Sequence, residues 1–405
     1  MRRRQTAGIL SLAALAVGVA LSGCSPSDRP KLAALPAKTH AAIPGIPDAR
    51  SFSDQPEVME QELERALVRE GRHLGLPKGS VLPPASFLAL SGGGDDGAYG
   101  AGLLAGWTAR GDRPEFKMVT GVSTGALIAP FAFLGRDYDS VLKDVYTNST
   151  PDSIYAPRFI VTAALTDDAL ADTTPLYETI SRHVDDALMA KIAAEYRKGR
   201  LLFIQTTDLD AGLAVRWNIG AIAESGAPGA LTLIRRILLA SASIPAAFPP
   251  VMFDVEIEGQ PHQELHVDGG AVSQSFLLPP GVSLREARRE AGYKRRSATA
   301  YIIRNSRLTV AYSDVDRRTL PIAQKAVSTL INYNGRGDLY RMYTLTKVAN
   351  VGFNLAYIDE DFQAPHKEDF DQTYMRALYA YGFDKAAHGF PWRHTPPGLD
   401  ASARD

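Results

Sequence analysis

The chain is expected to fold as an α/β domain, with a central, mostly parallel sheet covered by helices on both faces. Apolar runs at 87–90, 116–119, 201–206 and 298–303 alternate with segments of helical periodicity, the pattern of a three-layer α/β/α architecture. Two of these runs pass straight into glycine turns that open helical segments. With 405 residues, 45% apolar and 22% charged, the chain has the composition of a globular protein and the length for a large core.

The first 23 residues do not belong to that body. Arg2, Arg3 and Arg4 form a cationic start, and 9–19 form an apolar run too short for the ~20 residues of a membrane span. Leu21-Ser22-Gly23-Cys24 follows at once, and Cys24 is the one cysteine of the chain. The tetrapeptide resembles the lipobox of bacterial lipoproteins, which implies a signal peptide over 1–23 and an acylated Cys24 at the mature N-terminus. Several acyl chains on one residue meet the requirement for lasting attachment. Under the sorting rule known for enteric bacteria, Ser25 gives no inner-membrane retention signal. The expected location is the cell envelope, anchored by lipid to the outer membrane and facing the periplasm or the exterior.

Residues 24–53 are rich in Pro, Ala and Ser and read as a flexible tether. In 54–85, Val58, Met59, Leu63, Ala66 and Leu67 recur at helical spacing and predict a leading helix. The main domain is placed at 86–280. Residues 281–394 continue the same body, with a mainly helical C-terminal extension: helix over 321–348, strand over 353–358 and helix over 374–381. The segment 223–229 reads as a loop and 231–240 as a buried helix. After Pro391 the chain reads as frayed, and 395–405 form a polar tail.

Charge excludes one class of partner. Forty-four basic residues against 45 acidic ones leave a net charge of −1 and no basic stripe, which argues against nucleic-acid binding.

Three segments carry chemistry. In 88–102 an apolar strand enters Gly92-Gly93-Gly94-Asp95-Asp96-Gly97 and then a helix, gathering unhindered N–H groups at a helix N-terminus. Gly92, Gly94 and Gly97 also fit the dinucleotide fingerprint, but Asp95 and Asp96 sit where a pyrophosphate would bind and would repel it. In 116–127 a strand leads into Gly121-Val122-Ser123-Thr124-Gly125 and a helical run, the setting of a nucleophile elbow with Ser123 at its apex. A serine hydroxyl is a weak nucleophile without a base in hydrogen-bond reach. Leu265-His266-Val267-Asp268-Gly269-Gly270 supplies a candidate, an alternating strand ending in an acid and a glycine turn.

The order of these segments resembles the patatin-like phospholipases: a triple-glycine loop, G-x-S-x-G about thirty residues later, and Asp-Gly-Gly far downstream. Ser241 to Pro250 and Thr206 to Asp210 add to the resemblance, which runs from about Ser86 to about Ser275. It implies a patatin-like fold and a lipid acyl hydrolase acting on carboxylic esters through a Ser-Asp dyad and an acyl-serine intermediate. Carried over, Ser123 is the nucleophile, Asp268 the base, and the backbone N–H groups of Gly92, Gly93 and Gly94 the oxyanion hole. Gly97, Gly121, Gly125, Gly269 and Gly270 are the motif glycines. The implied partner is a lipid or another acyl ester, with no cofactor and no metal. Family members commonly carry Arg or Lys where this chain has Asp96. Two acids in the first helical turn suit the helix dipole and disfavour anionic head groups.

Three rival readings use the same residues. A Ser-His-Asp hydrolase would recruit His366, His388 or His394. Alternation of His262, Glu264, His266 and Asp268 puts them on one strand face, where metal ligands would stand, although a solvated face is expected instead. A lipid-binding lipoprotein with an inactive site would keep the fold without the turnover.

Overall fold

The computed structural model describes residues 40–157, 171–309, 312 and 314–399, so Cys24, its flanking leader and the last residues of the tail lie outside it. Nine strands form one sheet. Their ranges are β1 (Arg50–Phe52), β2 (Ala85–Leu90), β3 (Phe116–Val122), β4 (Leu201–Asp208), β5 (Leu213–Asn218), β6 (Val251–Ile257), β7 (Gln260–Asp268), β8 (Ala298–Arg307) and β9 (Gly352–Ile358). The order is β1-β5-β4-β3-β2-β8-β9, with β7 also pairing β4 and β6 pairing β7. The five strands from β4 to β9 run parallel, and β1, β5, β6 and β7 add antiparallel pairs on the other side. The four apolar runs of the sequence are therefore β2, β3, β4 and β8. They are buried on both faces, as a covered parallel sheet requires.

Helices cover the sheet. α1 (Pro56–His73) starts on a proline at its first turn and buries Met59, Leu63 and Ala66. α2 (Gly97–Arg110), α3 (Thr124–Leu134), α4 (Asp139–Asn148), α5 (Thr174–His183), α6 (Asp186–Arg197), α7 (Ile219–Glu224) and α8 (Ala230–Ser241) lie between strands. α9 (Leu284–Ala291), the long α10 (Thr319–Ala349) and α11 (Gln372–Ala387) make the mainly helical C-terminal region. Among the described residues no helix is long and apolar enough to cross a membrane.

Three elements differ from the sequence reading. Residues 40–53, assigned to the tether by composition, pack on the body: Ala41, Ile43, Ile46 and Ala49 are buried, and β1 pairs with β5. β5 and β6 are absent from the reading because buried Arg216 interrupts the apolar run of one, and β6 is half-polar by alternation. The chain beyond Pro391 is held rather than frayed: Arg393 pairs its backbone with Leu355, and the Trp392 ring lies 5.0 Å from Trp107 and 5.1 Å from Tyr301.

The C-terminal extension is seated by close helix contact. α11 crosses α2 at Gly102 and Gly106, where any Cβ would collide with the Tyr379 and Phe383 carbonyl oxygens.

Candidate active site

β3 ends at Val122 and α3 begins at Thr124, so Ser123 alone makes the strand-to-helix turn. It does so at φ 55°, a left-handed conformation unusual for a side chain with a Cβ. The flanking glycines are required by contact. A Cβ on Gly125 would collide with the Leu90 carbonyl oxygen, and one on Gly121 would lie 2.5 Å from the Gly125 carbonyl oxygen. The turn is pinned by Ser241, whose Oγ accepts from the Ser123 N–H at 3.0 Å and donates to the Gln205 carbonyl at 2.7 Å.

Asp268 reaches Ser123 through a change of partner along β4. β3 pairs with β4 up to Val122 opposite Gln205, and β7 takes over at the next residue, with Asp268 opposite Thr206. The end of β3 and the end of β7 are thus neighbours on one strand. The Asp268 carboxylate accepts from the Gly270 N–H at 2.7 Å, and the Ser123 hydroxyl, a donor on the neighbouring turn, favours its charged form. Burial pushes its pKa up to about 7, against the pull of those two donors toward the charged form.

The glycine loop lies against the same turn: a Cβ on Gly92 would meet the Ser123 Cβ at 3.1 Å. Ser91 and Asn305 staple the loop to β8, through Asn305 N–H to Ser91 Oγ and Asn305 Nδ2 to the Ser91 carbonyl, both 2.8 Å. Gly92 donates its own N–H to the Gln274 carbonyl at 3.0 Å. The N–H groups of Gly93 and Gly94 meet no acceptor among the described residues. Gly94 stands at φ 59° at the start of a short 3-10 turn, Gly94–Asp96, which precedes α2.

Asp95 and Asp96 bind the C-terminal extension. Asp95 Oδ2 accepts from the Phe370 N–H at 2.9 Å and lies 2.7 Å from His366 Nε2, and Asp96 Oδ1 accepts from the Tyr374 hydroxyl at 2.6 Å. Burial raises the pKa of both, that of Asp96 to about 7. An apolar slot of about 60 Å³ begins at Gly94 and Thr124 and runs between Leu127, Phe131, Ile180 and Leu238.

The three late histidines have other partners. His366 is engaged by Asp95, His388 Nδ1 lies 2.8 Å from the Asp384 carbonyl, and His394 Nδ1 lies 3.3 Å from that of Phe353. On β7, Glu264, His266 and Asp268 are buried, so the face is not solvated as expected from its polarity. Arg50 neutralises Glu264 at 2.5 and 3.0 Å, and His266 Nδ1 lies 2.8 Å from Thr206 Oγ1, which is why acids and histidine stay inside. Ligand atoms of Asp208, Glu264 and His266 lie within 4.8 Å of one another, but both Glu264 oxygens are already engaged by Arg50. Sequence reasoning did not find Ser241, Gln205, Gln274 or Arg50. Only Ser241 had a local signal, in the segment that runs to Pro250.

Fold and turn define a class: three-layer α/β/α domains in which a strained serine joins a parallel strand to a helix. Residues 88–279 match the family model described as patatin-like phospholipase. Among solved structures, VipD from Legionella pneumophila is similar at 10% identity and a TM-score of 0.33, over 77% of this chain and 67% of that one, a likeness too low to argue from. No curated protein matches.

Proposed function

We propose that this chain hydrolyses carboxylic esters through Ser123 and Asp268. The observation that carries the reading is the placement of Ser123, in a strained strand-to-helix turn, beside the buried Asp268 at the end of the neighbouring strand. Asp268 takes the Ser123 proton as Oγ attacks the ester carbonyl, the Gly93 and Gly94 N–H groups stabilise the oxyanion, and the proton passes to the departing alcohol. Water then cleaves the acyl-serine by the same route in reverse. Gly92, whose N–H is spent on Gln274, drops out of the donor set. The slot beside Thr124, walled by Leu127, Phe131, Ile180 and Leu238, takes the acyl group. Cys24 remains the proposed lipid anchor to the cell envelope, supported by the cationic start, the short apolar run and the lipobox-like tetrapeptide.

The test is labelling by a fluorophosphonate together with turnover of nitrophenyl esters. Wild type is labelled and active, and Ser123→Ala is neither; equal turnover by the two proteins would end the proposal.

A further inference from the structure

The net charge of the chain conceals a cationic cavity at the end of the sheet opposite Ser123. A cavity of about 330 Å³ has Leu67, Leu82, Phe87, Leu284 and Val351 among its apolar walls. Arg285, Arg288, Lys294, Arg295 and Arg296 line the same space, and no acidic residue does. Phe87, Ala298 and Val351 stand at or beside the starts of β2, β8 and β9, whereas Ser123 follows the end of β3. At about 3.3 Å per residue the six residues of β2 put the two sites on the order of 20 Å apart.

Local structure explains how five cations come together. α9 is capped by Ser283 and buries Ala287 and Ala291, which leaves Arg285 and Arg288, three apart, on a shared face. Gly292 at φ 82° turns the chain out of the helix, and the Lys294 N–H bonds to the Ser80 carbonyl at 2.8 Å, so 294–296 run back along the cavity. Two of the five cations have partners: Arg296 pairs with Glu70 at 2.7 Å, and Arg295 lies against the Asn350 amide. Arg285, Arg288 and Lys294 pair with no carboxylate among the described residues; the nearby Glu286 and Glu290 both pair with Arg289.

Arg285 and Lys294 are exposed and Arg288 half-buried beside the apolar floor, so a ligand that carries both an anion and hydrocarbon answers both features. Guanidinium groups match the oxygens of a phosphate, and the floor matches hydrocarbon. We infer that this cavity binds a phosphate-bearing lipid, its head group held by Arg285, Arg288 and Lys294 and the start of its chain laid on Leu67, Phe87 and Leu284. Val348, 82% exposed at the rim, meets the chain where it leaves the cavity. The site is independent of the ester chemistry at Ser123.

Dodecyl phosphate tests this, because it contains no carboxylic ester and cannot be turned over. The protein is the full chain with Cys24→Ser, so that no acyl anchor contributes, and binding is read by calorimetry. One dodecyl phosphate is expected per chain, with inorganic phosphate and dodecylphosphocholine each weaker by about tenfold or more. Arg285→Glu/Arg288→Glu/Lys294→Glu should weaken it by about tenfold or more and remove its salt dependence. Val348→Asp, at an exposed position, is the variant that spares the fold, and it should weaken dodecyl phosphate but not inorganic phosphate. Unchanged melting temperatures show that the variants are folded. Equal binding by folded wild type and triple variant overturns the inference. So does inorganic phosphate binding as tightly as dodecyl phosphate, which means a free-anion site, or dodecylphosphocholine doing so, which means adsorption of detergent.

Discussion

Asp268→Asn separates the proposed base from the fold, because the substitution keeps the shape and the acceptor for Gly270 while removing the charge. Burial moves Asp268 from 3.8 up to about 7, so in that interval the native protein holds a proton that the unfolded chain has released. Stability therefore falls as pH rises through this window, and the penalty is complete above the folded value. Three units at about 1.4 kcal/mol each put its upper size at about 4 kcal/mol. In urea titrations Asp268→Asn should be more stable than wild type by about 2–4 kcal/mol near pH 8, and by about 1 kcal/mol near pH 4.5. The same variant should lose about a thousandfold in kcat/KM on nitrophenyl esters, and the wild-type rate should decline as pH drops below about 7. A stability difference independent of pH, or a variant less stable than wild type at pH 8, would refute the assignment of a desolvated carboxylate. Full activity in Asp268→Asn would refute the base.

Ser241→Ala strips the bridge between the Ser123 N–H and the Gln205 carbonyl and leaves both buried groups unpaired. It should cost about 1–3 kcal/mol in denaturation and slow fluorophosphonate labelling, whereas a purely remote role predicts unchanged labelling. Leu127→Trp fills the slot beside Thr124; acetyl ester turnover should persist while hexanoyl ester turnover collapses, and an unaltered chain-length profile would move the acyl group elsewhere. His366→Ala, His388→Ala and His394→Ala should each stay within about tenfold of wild-type rate, since a general base contributes about a hundredfold or more. A loss of that size at one of them would restore the Ser-His-Asp reading.

The parts of the fold legible in the sequence are those whose physics is local. β2, β3, β4 and β8 are continuous apolar runs because both faces are covered, and the Ser123 turn shows itself through glycines that admit close backbone approach. β1 has three residues and is stabilised by pairing with β5 rather than by its own pattern. The buried side of β7 looks solvated along the sequence because Glu264 and His266 are polar; their partners, Arg50 and Thr206, come from β1 and β4 and are invisible along the strand. Asp268 could be proposed from its glycine turn. That it meets Ser123 depends on the handover from β3 to β7 along β4, a tertiary event with no local signature.

Asp96 has the same lesson for the glycine loop. Where the resemblance leads one to expect a basic residue, this chain carries an acid that reaches the Tyr374 hydroxyl, while its neighbour Asp95 holds His366 and the Phe370 N–H. Burial disfavours the charge of Asp96, and Arg307 and Tyr374 favour it. These contacts attach the loop to α11 and the segment before it, beyond the 88–279 that match the family. β8 fixes the other side of the loop through Asn305. The Gly93 and Gly94 N–H groups are therefore aimed by two elements that follow the matched region. The C-terminal extension is a structural part of the candidate site, and the acid at 96 is accommodated because the extension supplies the donor that a basic side chain would not need.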